Sequence, residues 1–253
     1  MHMADFDGRF KRFWDNQFVP LGLLLAGGLI VVGLIAASTA LSIKNASNTL
    51  SVTGSAMTDV SADTAKWTVT AQRFASETGV GAATAAVGAD TQKVVAFLKA
   101  AGVADGDITL GTLHTDQDYS YSQDANAPKR YAVRQDVTVS SKDPAAVQKL
   151  AQDITSLANQ GIVLSIGDPQ YYISTLPDVR VSLVGKAVED AKARAEQIAK
   201  STGQSVGRLQ SASTGVVQVL APNSTDVADY GSYDTSTIDK QVSVTVRATF
   251  FVR

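Results

Sequence analysis

The chain has no cysteine among its 253 residues. That excludes disulfides, thiolate catalysis and cysteine-ligated zinc or iron–sulfur sites. Histidine is nearly absent too. One of the two, His2, sits in an N-terminal "MHM" that is set aside as a cloning remnant, which leaves His114. Any metal site or Ser-His-Asp arrangement would have to form around that one imidazole. There is no excess of positive charge: the net charge is −2, so no polyanion-binding signature exists and nucleic acid is not expected as a partner. The string "GQSVG" (203–207) fits Gly-x-Ser-x-Gly, but it follows a predicted helix and precedes a strand, the reverse of the strand-to-helix turn that a nucleophile elbow needs. "GVGAATAAVGAD" (79–90) is glycine-rich but lacks the Lys-Ser/Thr ending of a phosphate loop, and its alanines suit a packed helix. The expectation is a protein that is not an enzyme and needs no cofactor or metal.

Charge is also missing from one long run. Between Asp15 and Lys44 there is no charged residue. Phe18 to Ala40 is 23 residues of nearly pure apolar sequence. As a helix rising about 1.5 Å per residue it covers the roughly 30 Å hydrocarbon core of a bilayer. A cleavable signal has a shorter apolar core, so a retained anchor is favoured. Cleavage after the small residues of "AASTA" is the competing reading. Trp14 suits the headgroup interface, and Arg9, Lys11 and Arg12 precede the span while Lys44 alone follows closely. The positive-inside bias then keeps residues 1–17 cytoplasmic and exports the rest. Gly22 with Ala26 and Gly33 with Ala37 are small-x-x-x-small pairs, which allow membrane helices to pack closely. The expected organisation is a cytoplasmic segment 1–17, a membrane helix 18–41, a linker 42–48 and a folded domain 49–253.

The folded part alternates strands and helices. "TAKWTVTAQRF" (64–74) points Trp67, Val69 and Ala71 to one side, a period-two strand. A helix is predicted over about 78–101, with Val80, Ala83, Val87, Val94, Leu98 and Ala101 near one face and Gly102 as its left-handed end. Asp143-Pro144 marks another helix start. Its core residues are Val147, Leu150, Ala151, Ile154, Leu157 and Ala158, and Gly161 closes it. "IVLSIGDPQYYIS" is a strand interrupted by Gly167 and Pro169. The longest helix spans about 178–202, with Val184, Val188, Ala191, Ala195 and Ile198 as the inner face. The final strand places Val242, Val244, Val246, Ala248, Phe250 and Val252 on one face.

Element order repeats. Strand–helix–strand–strand occurs at 64–140 and again at 162–253, with the 143–159 helix between them. Each copy ends in a hairpin with a long Tyr-bearing loop, 118–130 and 221–240. His114, Asp116 and Asp118 would share one face of a strand, but their spacing splays ligands, so a solvated strand end outweighs a metal site.

Taken together, "LSVTGSAMTDVSADTAKWTVTAQ", "GVADGDITLGTLHTDQDYSYSQ" followed by "YAVRQDVTVSSKD", and "AVEDAKARAEQIAKSTGQSVGRLQSAS" resemble the SIMPL-domain family of bacterial envelope proteins over about residues 49–253. The resemblance implies an α+β (mixed α/β) fold, a periplasmic or cell-surface location, large ring- or cage-like homo-oligomers, and a loose link to envelope or oxidative stress. It supplies no catalytic residues. The resulting expectation is a membrane-anchored, non-catalytic scaffold in the bacterial cytoplasmic membrane. Its partners would be further copies of itself, the bilayer through residues 18–41, and an unidentified membrane or envelope protein. A periplasmic small-ligand or stress-protective binding protein is the alternative. Tyr119, Tyr121, Tyr171, Tyr172, Tyr230 and Tyr233 are the expected oligomer contacts, because tyrosine favours interfaces.

Overall fold

The computed structural model describes residues 18–46, 48–119, 128–225 and 229–253. Trp14, Arg9, Lys11, Arg12 and Tyr121 lie outside the described residues. The first helix, α1, runs Phe18–Ala46, so most of the stretch expected as a linker is helical. Its segment Leu21–Ala40 is long and apolar enough to span a membrane, and none of it is buried against the rest of the chain.

Two antiparallel sheets and three further helices follow: β1 (Thr49–Ser61), β2 (Thr64–Ser76), α2 (Val80–Ala100), β3 (Ile108–Gln117), β4 (Arg130–Ser141), α3 (Pro144–Asp153), β5 (Leu164–Ile166), β6 (Gln170–Tyr172), α4 (Leu176–Ser201), β7 (Val206–Leu220) and β8 (Asp239–Val252). The larger sheet has the order β3-β4-β2-β5, with β6 also paired to β2. The smaller has the order β1-β8-β7.

The expected repeat is therefore present, with an exchange. Both copies have a hairpin beside a third strand and a helix. In the second copy, however, β5 and β6 pair with β2 of the first. The vacant place beside β8 is taken by β1. Gln241 donates to Asp59 and Ser61 to Asp239, while Thr249 meets Ser51 and the Val252 N–H donates to the Asn48 carbonyl. The residue numbers in each pair add to the same total, so β1 and β8 run antiparallel. Gly167 and Pro169 explain the exchange locally. They cut the strand into two three-residue pieces, too short to build a sheet of their own.

The chain divides into two compact units. One holds Thr53–Ala191 and Ser213–Arg247. In it, Ala65, Trp67 and Val69 of β2, Val137 and Val139 of β4, Val94 and Leu98 of α2, and Val147 and Leu150 of α3 form one core. The register sets Trp67 opposite Val139 and Val69 opposite Val137, so the period-two stripes of both strands face the same helices. Trp67 is buried whole because its Nε1–H donates to the Gly167 carbonyl at 2.8 Å. The buried alternation of β4, through Val133, Val137 and Val139, is interrupted at Gln135, whose amide donates to the Gly111 carbonyl where β3 bulges between Leu110 and Leu113. A second core in this unit joins Leu183 and Ala187 of α4 to Val242, Val244 and Val246 of β8. The other unit holds Met1–Val52, Lys192–Ala212 and Ala248–Arg253. Val52, Ala195, Ala199, Ala248 and Phe250 are buried in it.

Three expectations about faces change. Ala101 lies beyond the end of α2 and is exposed, while Asp90 and Thr91 occupy buried positions on that helix. The helix beginning at Pro144 tightens into a 3₁₀ stretch at Ile154–Gln160, leaving Ala158 exposed, before Gly161 closes it at φ 73°. The buried stripe of α4 is Leu183, Ala187, Ala191, Ala195 and Ala199. Val184 and Val188 sit at its margin, and Ile198 is 45% exposed. Hydrophobicity favoured valine and isoleucine as the inner face. Close approach favoured alanine, because β1 presents Gly54 to the helix backbone: a Cβ built there would lie 2.2 Å from the Ala187 carbonyl oxygen and 2.4 Å from the Ala191 nitrogen.

Candidate assembly surface

The six tyrosines were expected as contacts between copies, and the structure separates them. Tyr171 is buried within its own chain, opposite Ala65, and burial pushes its phenol pKa up. It is a core residue, so its ring cannot serve as an exposed contact. Tyr172 and Tyr233 form a tilted pair with ring centroids 6.0 Å apart. The Tyr172 hydroxyl donates to Gln170, and the Tyr233 hydroxyl accepts from the Ile173 N–H at 2.9 Å. Both are tied into the fold and leave part of their rings exposed. Tyr119 is 75% and Tyr230 is 98% exposed.

What fixes the second Tyr-bearing loop is a buried lysine. Lys240 has the same parity as the valine stripe of β8, so the alternation that buries Val242 and Val244 also carries it inward. Its ammonium bonds the Asp234 carbonyl at 2.5 Å and the Asp234 carboxylate at 3.2 Å, and lies 5.9 Å from the Tyr233 ring. Asp234 also accepts from the Ser236 N–H and hydroxyl and from the Thr237 N–H and hydroxyl. Burial acts to raise its pKa, but the Ser236 and Thr237 hydrogen bonds and Lys240 outweigh it and hold the carboxyl far below the usual range. The loop so fixed folds back on the end of β7. Val219 donates to the Ser232 carbonyl, the Asp234 N–H donates to Val219, and the Gln218 side chain accepts from the Ser232 N–H.

That cover stops short of the middle of β7. Arg208 to Val216 are nine consecutive exposed residues, on both faces of a terminal strand. Period-two burial, which every other long strand keeps in part, is absent there. The edges of β3 and β1 are managed. β3 is broken by its bulge and carries charge: Asp116 pairs with Arg134 at 2.7 Å, and Asp118 pairs with Arg130. At β1 the Ser55 N–H donates to Asp190 of α4 at 2.8 Å. β7 has one charged residue, Arg208, in this stretch, and the neighbouring Leu209 and Val216 are more than 40% exposed. A long, weakly charged edge is a template for pairing with another strand.

The rest of the surface carries little chemistry. The Asp116 and Asp118 carboxylates are taken by arginines, and His114 Nε2 lies 2.9 Å from the Thr112 hydroxyl. No metal-binding group of three or more ligands occurs among the described residues. "GVGAATAAVGAD" starts α2. Two grooves of about 420 and 480 Å³ open on the surface, one bordered by Asp59 and Asp239, the other by Lys66 and Asp168. Inside the fold, Arg73 of β2 reaches the buried Asp90 of α2 at 2.6 Å and the Gly161 carbonyl at 2.9 Å.

Residues 50–250 match the family model SIMPL, described as a protein of unknown function (DUF541). The chain belongs to the SIMPL family. No match was found among curated proteins. The SIMPL match begins at the second residue of β1 and ends in β8, so it takes in both sheets, the strand exchange and the open β7 edge, and leaves α1 outside. Sequence reasoning missed Asp234, Lys240 and the Arg73–Asp90 pair. The signal for Lys240 was its parity with Val242. For Arg73 and Asp90 it was a charge on the inward phase of each element.

Proposed function

We propose that this SIMPL protein is a membrane-anchored, non-catalytic scaffold whose folded domain associates with further copies through the open edge of β7. The observation that carries the reading is the run of nine residues exposed on both faces of a terminal strand, where the edges of β3 and β1 are bulged, charged or engaged. Antiparallel pairing of two β7 strands would satisfy the outward backbone groups of both. It would also cover Leu209 and Val216.

The anchor supports this reading through effective concentration. A helix shared with one membrane makes each further contact nearly intramolecular, so weak edges suffice. Gly22, Ala26, Gly33 and Ala37 fall within about 60° of one another around α1 at 3.6 residues per turn, on a segment exposed along its length. They give a second, membrane-level surface for association. Export of the domain and residence in the cytoplasmic membrane follow from the basic residues before the span. Tyr119, Tyr230, Tyr172 and Tyr233 border this scheme as further contacts. A ring or cage is the closed form such pairing can take, and a role under envelope stress is its proposed setting.

The test is the mass of the detergent-extracted full chain, by native mass measurement or light scattering. An assembly that dissociates on Ser211→Lys with Ser213→Lys, while the melting temperature holds, supports the reading. A wild-type monomer at micromolar concentration overturns it.

A further inference from the structure

Positive charge collects in one of the two compact units. Residues 192–212 and 248–253 share a compact unit with α1. They carry Lys192, Arg194, Lys200, Arg208 and Arg253 against a single acid, Glu196. All six are exposed, and Glu196 lies 3.8 Å from Lys192. The other unit has the opposite balance, with 13 basic and 20 acidic residues. The cationic balance is thus not the general character of the chain.

Connectivity puts this charge beside the bilayer. The apolar span ends at Ala40, the helix at Ala46, and the Val252 N–H donates to the Asn48 carbonyl at 3.0 Å. Ser205 and Arg253 exchange backbone hydrogen bonds at 2.7 and 3.0 Å, and the Gln204 N–H closes the end of α4 on Ala199. From Ala40 to Asn48 the chain covers about 9 Å of helix and at most roughly 7 Å of extended backbone. The headgroup layer fills roughly 5–7 Å of that distance. What is left is about one Debye length at physiological salt, and long cationic side chains shorten it further. Ile198 and Leu209, 45% and 44% exposed, lie among these basic residues, and the Arg208 guanidinium sits over the Phe251 ring at 5.0 Å. Apolar residues interspersed with cations are the pattern of a surface that lies on headgroups.

We propose that the cationic part of this unit docks on the anionic phospholipid headgroups of the bilayer that its own helix crosses. The inference rests on the membrane-anchor part of the proposed function and is independent of β7 pairing. Each basic residue brought to an anionic surface shifts the docked-to-undocked ratio about fivefold, so two engaged residues give roughly 25-fold.

Because the chain lacks cysteine, a Gln204→Cys variant can be labelled at one place with a fluorophore. The full chain is reconstituted in lipid nanodiscs of phosphatidylcholine alone or of an equal mixture with phosphatidylglycerol, each holding a headgroup-nitroxide quencher. Co-elution with the discs reports the anchor, and quenching reports docking. The expected result is about twofold more quenching in the anionic discs. That excess should vanish near 0.5 M salt, where the Debye length falls to roughly 4 Å, and in Lys200→Gln with Arg208→Gln. Equal quenching in both lipids, or quenching that ignores salt, overturns docking while the anchor stands. A chain that fails to co-elute overturns the anchor and the docking with it.

Discussion

Replacing Gly54 with alanine adds one methyl group to a strand that has no room for it. The new Cβ would stand 2.2 Å from the Ala187 carbonyl oxygen, 2.4 Å from the Ala191 nitrogen and 2.8 Å from the Ala191 Cα. Ordinary contact begins near 3.4 Å, so α4 and β1 must separate by about 1.2 Å. All three opposing atoms are backbone, and no side-chain rotation relieves them. The separation opens the seam where Leu183 and Ala187 meet Val242, Val244 and Val246. It also stretches the 2.8 Å bond from the Ser55 N–H to Asp190. Overpacking costs about 1–3 kcal/mol when side chains can adjust. With backbone on both sides, about 3 kcal/mol is expected. At roughly 2–4 °C per kcal/mol for a domain of this size, the melting temperature falls by about 6–12 °C. The assay is thermal unfolding of the full chain in detergent, followed by tryptophan fluorescence, which reports the buried Trp67. Gly88→Ala in α2 is the control, because its Cβ would meet nothing within 4 Å. It should be neutral or raise stability by about 0.5–1 kcal/mol. A Gly54→Ala protein melting within a degree of wild type would refute the reasoning.

Asp234→Ala leaves the Lys240 ammonium buried with one carbonyl partner and should cost about 3–5 kcal/mol in denaturant titration, more than Lys240→Met, which leaves Asp234 its Ser236 and Thr237 donors. Because the folded-state pKa of Asp234 is depressed, its contribution is complete above the ordinary value of 3.8 and is lost as the pH falls through and below it; Asp63, lowered by its Ser174 hydrogen bonds, acts in the same direction. Stability measured from neutral pH down should therefore decline below about pH 4 in wild type and more shallowly in Asp234→Asn. Arg73→Met leaves the Asp90 carboxylate, whose side chain is 5% exposed, with Lys93 at 4.0 Å as its remaining ion-pair partner, and should cost about 3 kcal/mol, while Arg73→Met with Asp90→Leu should recover most of that. Ser211→Lys with Ser213→Lys should lower the assembled mass at unchanged melting temperature, read by light scattering.

The sequence by itself determined the elements and their burial phase wherever the period was clean. The apolar run of α1, the alternation through Trp67 and Val69, and the valine stripe of β8 all report side chains meeting solvent or core one residue at a time. The Asp143 side chain accepting from the Ala146 N–H, and Gly161 at φ 73°, are equally local. Partner choice is not local, so tertiary structure decided it. Nothing in "SVTGSAM" says that β1 sits beside β8, and nothing in "LSIGDPQYY" says that its two pieces cross to β2. The inner face of α4 went to alanine because Gly54 brings two backbones together, a contact between residues more than 130 positions apart. The ion pair of Lys240 and Asp234 spans only six positions, but Lys240 shares the parity of a hydrophobic stripe, and the fold of the loop decided its partner. Tertiary structure also decided the open edge of β7, since whether a strand has a neighbour depends on where the rest of the chain has gone.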